Sequence, residues 1–145
     1  MSLQEWLKSG WLVEHRPDRG EIGELLAIVD RDLTDARTER LSADWRLNIA
    51  YNAALQAATA ALAAAGYRAA RDAHHFRVIQ SLRFTIGADA ATVRQFDTFR
   101  KKRNMGGYER VGTVSDQEAG EMFVLAKRLR QEVTAWFQAN HPELI

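Results

Sequence analysis

Arg100, Lys101, Lys102 and Arg103 are four consecutive cations, followed directly by Asn104, Met105, Gly106, Gly107 and Tyr108. A helix-compatible run from Asp89 carries the cations and the paired glycines break it, so these polar side chains fall where a helix gives way to a loop. Such a junction suits an anion. Like charges on neighbouring helical positions repel by roughly a few tenths of a kcal/mol per pair, a penalty that an anionic partner removes. Arg103 stands apart because it continues the apolar stripe of Val93, Phe96 and Phe99, which directs its guanidinium toward a cleft. The planar fork of arginine grips a phosphate through two parallel hydrogen bonds, which lysine cannot do. The alternative is a solvated surface run whose cations complement the C-terminal end of a helix.

The basic character is local. Between Arg94 and Arg110 six cations face Asp97 and Glu109, a net +4 in a chain whose total is +1, so the remainder sums to −3. A single cationic face points to a phosphate-bearing ligand more than to whole-surface attraction to nucleic acid or anionic lipid.

Other chemistry is sparse. The absence of cysteine excludes a disulfide framework, a thiol nucleophile and a zinc–thiolate site, and fits a reducing, cytoplasmic setting. No phosphate-binding G-x-x-x-x-G-K-S/T loop, G-x-G-x-x-G fingerprint, G-x-S-x-G elbow or H-E-x-x-H pair occurs. No metal or cofactor is expected. His74 and His75 are adjacent, which on a helix turns them about 100° apart, so they do not make a two-ligand face, and one buried and one exposed imidazole is the expectation. His15 and His141 lie near the ends and receive the same structural reading. Trp6, Trp11, Trp45 and Trp136 sit at helical spacings that assign them to packing.

The elements that must position this cluster are helical. The 145 residues have the length of one domain, taken as 1–145, and a chain of that size buries roughly 70% of the surface its unfolded form exposes. Proline occurs only at Pro17 and Pro142, the stretch between is rich in strong helix formers, and no window sustains period-2 alternation. The expected class is all-α: an antiparallel up-and-down bundle of four long helices plus a short N-terminal helix.

The short helix runs from Ser2 to about Trp11 and reads as a lid or arm. A second spans about Arg19 to Arg40, with Ile22, Leu25, Val29, Leu33 and Ala36 in a stripe. Ser42 then caps a long alanine-rich helix that ends at Gly66, and its small side chains let neighbours approach on more than one side. A helix over about Arg71 to Ile86 ends at Gly87, another starts at the cap Asp89, and a three-glycine loop spans Met105 to Val114. Ser115-Asp116-Gln117-Glu118 forms a capping box that opens the last helix, which ends before His141-Pro142. No stretch approaches the ~18 apolar residues of a membrane span, and the start lacks the basic and apolar regions of a signal peptide. A soluble chain with no membrane partner is expected.

Arg103-Asn104-Met105-Gly106-Gly107-Tyr108, followed by a capped helix with Glu118-Ala119 and Leu125-Ala126, resembles the HEPN superfamily of small helical bundles. Trp45 to Leu55, with its Ala50-Tyr51-Asn52-Ala53-Ala54 core, is similar to the first long helix of that superfamily. The similarity runs from about Glu21 to Phe137. The motifs are short, and their order carries the weight.

The resemblance implies a four-helix core that dimerises, bringing the R-x(4–6)-H motif of each copy into one cleft. In active members that cleft is a metal-independent endoribonuclease site, often in a toxin–antitoxin or defence system. Arg103 matches the motif arginine and Asn104 the polar residue after it; Tyr108 stands where the histidine belongs. Proton transfer in RNA cleavage suits a group with a pKa of about 6.5, whereas tyrosine, at about 10, stays neutral and makes a poor base. Tyr108 can still donate a hydrogen bond to a phosphate or stack on a base.

The expected function is therefore RNA or nucleotide binding by a dimeric, catalytically impaired module. Arg103, Asn104 and Tyr108 form the ligand site, Arg100, Lys101 and Lys102 add field, and Arg103 and Tyr108 are the candidates for any residual catalysis. The alternatives are an active endoribonuclease and a structural protein-interaction module. A homodimer partner and a cognate antitoxin or nucleotidyltransferase follow from the resemblance alone.

Overall fold

The computed structural model describes residues 1–105 and 114–145, with Asn104 and Met105 described through their backbone alone. The expected Met105–Val114 loop, and Tyr108 with it, lies outside the described residues apart from its two ends. Among the described residues the elements run α1 (Leu3–Lys8), β1 (Leu12–Glu14), α2 (Arg19–Asp35), α3 (Ala43–Ala64), β2 (Tyr67–Ala69), α4 (His74–Ser81), α5 (Ala90–Met105) and α6 (Asp116–Asn140), closed by a 3-10 turn at Pro142–Leu144. The chain is mostly helical. None of its described helices is long and apolar enough to cross a membrane.

α3 is the element the others cover. Ser42 Oγ accepts the N–H of Trp45 at its start, and Gly66, at φ 100, turns the chain away at its end, where its N–H reaches Ala63 O at 2.9 Å. Between these caps Ala53, Ala54, Ala57, Ala58, Ala60 and Ala61 are fully buried, because α2 and α6 pack along α3 while α4 and α5 also meet it. Methyl side chains leave room for that many neighbours around one helix axis. From α6, Met122, Leu125, Leu129, Val133 and Phe137 fill the shared core.

Local signals set the other helix starts. Ser115 and Glu118 form the expected reciprocal capping box, and Asp89 Oδ1 accepts the N–H of Thr92 at 2.8 Å. This hydrogen bonding holds the carboxyls of Asp89 and Glu118 below their usual range.

Three expectations are corrected. A two-stranded antiparallel sheet exists, with Leu12 opposite Ala69 and Glu14 opposite Tyr67. Three residues per strand are too few to display a period-2 pattern, and the pairing joins segments separated by two helices. α1 packs against the body of the chain, with Trp6 3% exposed and edge-on against Trp11 and Phe84. α2 and α4 are shorter than their stripes suggested, ending at Asp35 and Ser81; beyond Ser81 the chain continues in turns to Gly87. Trp45 is 62% exposed, because it lies in the first turn of α3, off the buried face carried by Leu47, Ala50 and Tyr51.

α4 is held in place by an unusual start. Ala73 adopts φ 53, ψ 36, a left-handed conformation that turns the chain directly into His74, and no side chain caps the helix. The guanidinium of Arg77 then lies 3.5 Å from the centroid of Trp11, clamping α4 to the segment between α1 and β1.

Candidate anion-binding site

The four cations of α5 divide by helical position. Arg100 donates from Nε to Asp97 Oδ1 at 2.7 Å, and its guanidinium lies 5.6 Å from the Phe76 ring centroid. Lys101 is exposed, with Nζ 3.6 Å from Asp97 Oδ2. Lys102 reaches Glu118 Oε2 at 3.3 Å, tying the end of α5 to the capped start of α6. Arg46 pairs with Asp116 and so fastens the start of α3 to the same turn. Carboxylates within the chain therefore already offset part of the repulsion that the bare sequence suggests.

Arg103 goes elsewhere. Its guanidinium carbon lies 5.1 Å from the centroid of the Tyr51 ring, one turn beyond Phe99 and on the side of α5 that faces α3. Tyr51 is 1% exposed and packs edge-on against Phe96, with ring centroids 5.7 Å apart. Its hydroxyl lies 3.2 Å from Nδ1 of His75 on α4. Three helices thus meet through three side chains: α5 supplies the cation, α3 the ring and α4 the imidazole.

Electrostatics fixes the protonation of this group. Burial, opposed in part by Arg103 and Arg100, pushes the Tyr51 hydroxyl up to about 12. It therefore keeps its proton at neutral pH. Burial, then Arg103, His74 and Arg100, lowers the pKa of His75, so its imidazole is neutral. A buried hydroxyl has to donate, and the acceptor it meets is Nδ1, which puts the imidazole proton on Nε2. His74 is exposed as expected, while His75, expected to be buried, is half-buried and hydrogen-bonded.

Ala73, His74, His75, Phe76 and Arg100 line a cleft between the first turn of α4 and α5. A guanidinium fixed by Asp97 and Phe76, a second one on Tyr51 and a neutral imidazole with a donor nitrogen place positive charge and hydrogen-bond donors on one side of the molecule, the chemistry that anion binding requires.

Of the residues singled out in the sequence, the structure brings Arg100 and Arg103 to this side. It sends Lys101 and Lys102 to carboxylates. The Asn104 side chain and Tyr108 lie outside the described residues. His75 was assigned a structural role from its spacing to His74, and its partner Tyr51 is 24 positions away on another helix. One signal was available: His75 stands on the apolar stripe of Ile79, Leu82 and Ile86, where a polar group requires a partner. Comparison with protein-family models, curated proteins and solved structures gives no match for this chain.

Proposed function

We propose that this chain is a HEPN-like module, an up-and-down bundle of four long helices, that binds RNA or a nucleotide in the cytoplasm. In this reading it acts as a homodimer and is catalytically impaired, because Tyr108 replaces the motif histidine. The observation that carries the binding part is the placement of Arg103 on the Tyr51 ring, while Arg100, Lys101 and Lys102 sit on carboxylates. A guanidinium stacked on an aromatic face keeps its edge N–H groups available for phosphate oxygens. The order of motifs, with Tyr51 on α3, Arg103 ending α5 and a capping box opening α6, supports the family assignment.

Fluorescence anisotropy with short single-stranded RNA tests the binding. Affinity should fall as salt rises, and Arg103→Ala should weaken binding and reduce the log–log salt slope by about one unit. Undetectable binding at low salt, or unchanged affinity in Arg103→Ala, overturns the reading. Light scattering tests the dimer, and a mass near 16.4 kDa at micromolar concentration counts against it.

A further inference from the structure

We propose that the cleft lined by Ala73, His74, His75, Phe76 and Arg100 takes a terminal phosphate monoester, on a free nucleotide or on the 5′ end of an RNA, and that His75 takes up a proton as it binds. This rests on the reading of the chain as an RNA- or nucleotide-binding module and names the chemical group that the site selects.

The donors suit a monoester. Arg100 has its Nε on Asp97 and its face over Phe76, so its orientation is set before any ligand arrives and its terminal N–H groups remain for a bidentate grip. His75 has Nδ1 engaged by Tyr51, which leaves Nε2 to meet an oxygen. His74, with its ring centroid 5.9 Å from that of His75, contributes a second imidazole at the rim. Three donor groups thus face one cleft. A monoester offers three terminal oxygens and up to two negative charges, whereas an internal phosphodiester offers two oxygens and one charge. The free N–H groups of the first turn of α4, which no side chain caps, add partial positive charge on the same side.

Proton uptake follows from the groups that face His75. α3 contributes Tyr51, neutral and hydrogen-bonded; α5 contributes Arg100 and Arg103, while its Asp97 acts on Tyr51; α4 contributes His74. Without a ligand, burial first and then the neighbouring cations hold the imidazole neutral. A phosphate dianion beside Nε2 reverses the local field, and the imidazolium becomes the favoured form, its proton drawn from the buffer.

Titration calorimetry on the full chain tests this, with adenosine 5′-monophosphate and with one short RNA carrying either a 5′-phosphate or a 5′-hydroxyl, in two buffers of different ionisation enthalpy. The 5′-phosphorylated RNA should bind about tenfold or more tightly than its 5′-hydroxyl twin, with net proton uptake at pH 7.5. The preference should shrink severalfold in Arg100→Gln, and the uptake should vanish in His75→Gln. Binding of the mononucleotide with uptake, but of neither RNA, supports the cleft and removes the RNA reading. Equal affinity for the two RNAs, with no mononucleotide binding, overturns the monoester site and leaves RNA binding intact. Should His75→Gln fail to fold, NMR titration of the wild-type imidazole decides: its pKa must rise when the mononucleotide is added, and an unchanged value overturns the proposal.

Discussion

The guanidinium of Arg103 lies over the ring of Tyr51, 5.1 Å from its centroid, and the hydroxyl of the same ring meets His75 at 3.2 Å. One buried tyrosine therefore holds a cation by its face and an imidazole by its edge. The two contacts separate by mutation. Tyr51→Phe keeps the face, so RNA affinity should stay within about twofold, while loss of the hydroxyl hydrogen bond should cost about 1 kcal/mol of stability in urea titrations. Tyr51→Leu removes the face, and RNA affinity should then fall with that of Arg103→Ala.

Stability should depend on pH through His75. Its folded pKa lies below 6.5, so between those two values the unfolded chain binds a proton that the native chain does not. The stabilising contribution is present above 6.5 and is lost as pH falls through that range. Melting temperatures measured from pH 8 to pH 5 should decline less steeply for His75→Gln than for wild type. At the alkaline end the sign reverses. Tyr51 ionises at about 10 when unfolded and about 12 when folded, so stability should fall as pH rises from 10 toward 12, and Tyr51→Phe should remove that part of the decline.

Ala73 offers a gain in stability. A non-glycine residue in the left-handed region costs roughly 1–2 kcal/mol, and glycine adopts it without that penalty. After allowance for the greater freedom of glycine in the unfolded chain, Ala73→Gly should stabilise the protein by about 0.5–1 kcal/mol in chemical denaturation. Because the substitution relaxes the turn that presents His74 and His75, ligand affinity serves as the companion measurement, with a weakening of up to about threefold expected as that turn becomes less fixed.

Features carried by near neighbours in the chain were legible in the sequence. Ser42, Gly66, Asp89 and the Ser115–Glu118 box act within a single turn, and each takes its expected place. The alanine content of α3 also announced a helix touched on several sides. Features that depend on distant partners were hidden. β1 and β2 are three residues each and separated by α2 and α3. His75 gains its role from Tyr51, and Lys102 finds its carboxylate, Glu118, on a different helix. Trp45 was misassigned because helical spacing says which residues share a face and not which face is covered.

Asp32 is 5% exposed, and its carboxylate accepts from Asn52 Nδ2 at 2.7 Å and pairs with Arg31 at 3.0 Å. Asn52 also accepts from Gln56 Nε2 at 3.2 Å, which makes a polar ladder along the seam of α2 and α3. Arg31 is largely solvent-exposed, so the bond from Asn52 is the protected one. Asn52→Ala should therefore cost about 1.5–3 kcal/mol, the range for a hydrogen bond to a charged group, whereas Arg31→Ala should cost less than about 1 kcal/mol. Similar losses for the two variants in urea titrations would contradict this ranking.

The tightest constraint on the whole arrangement is the methyl-sized interior of α3. Ala57 is fully buried, on a helix that α2 and α6 both pack against. A leucine there adds three carbon atoms where the packing leaves no space, and overpacking of this kind costs about 1–3 kcal/mol through displaced side chains and backbone. Ala57→Leu should lower the unfolding midpoint accordingly. The same strain should reach the ligand site, because Tyr51 rides on α3 and any shift of that helix moves the ring away from Arg103 and His75. Ala57→Leu is thus expected to lose RNA affinity even under conditions where it remains folded, although it touches none of the binding residues. A variant that loses stability while keeping full affinity would show that the site is held by α4 and α5 without help from α3.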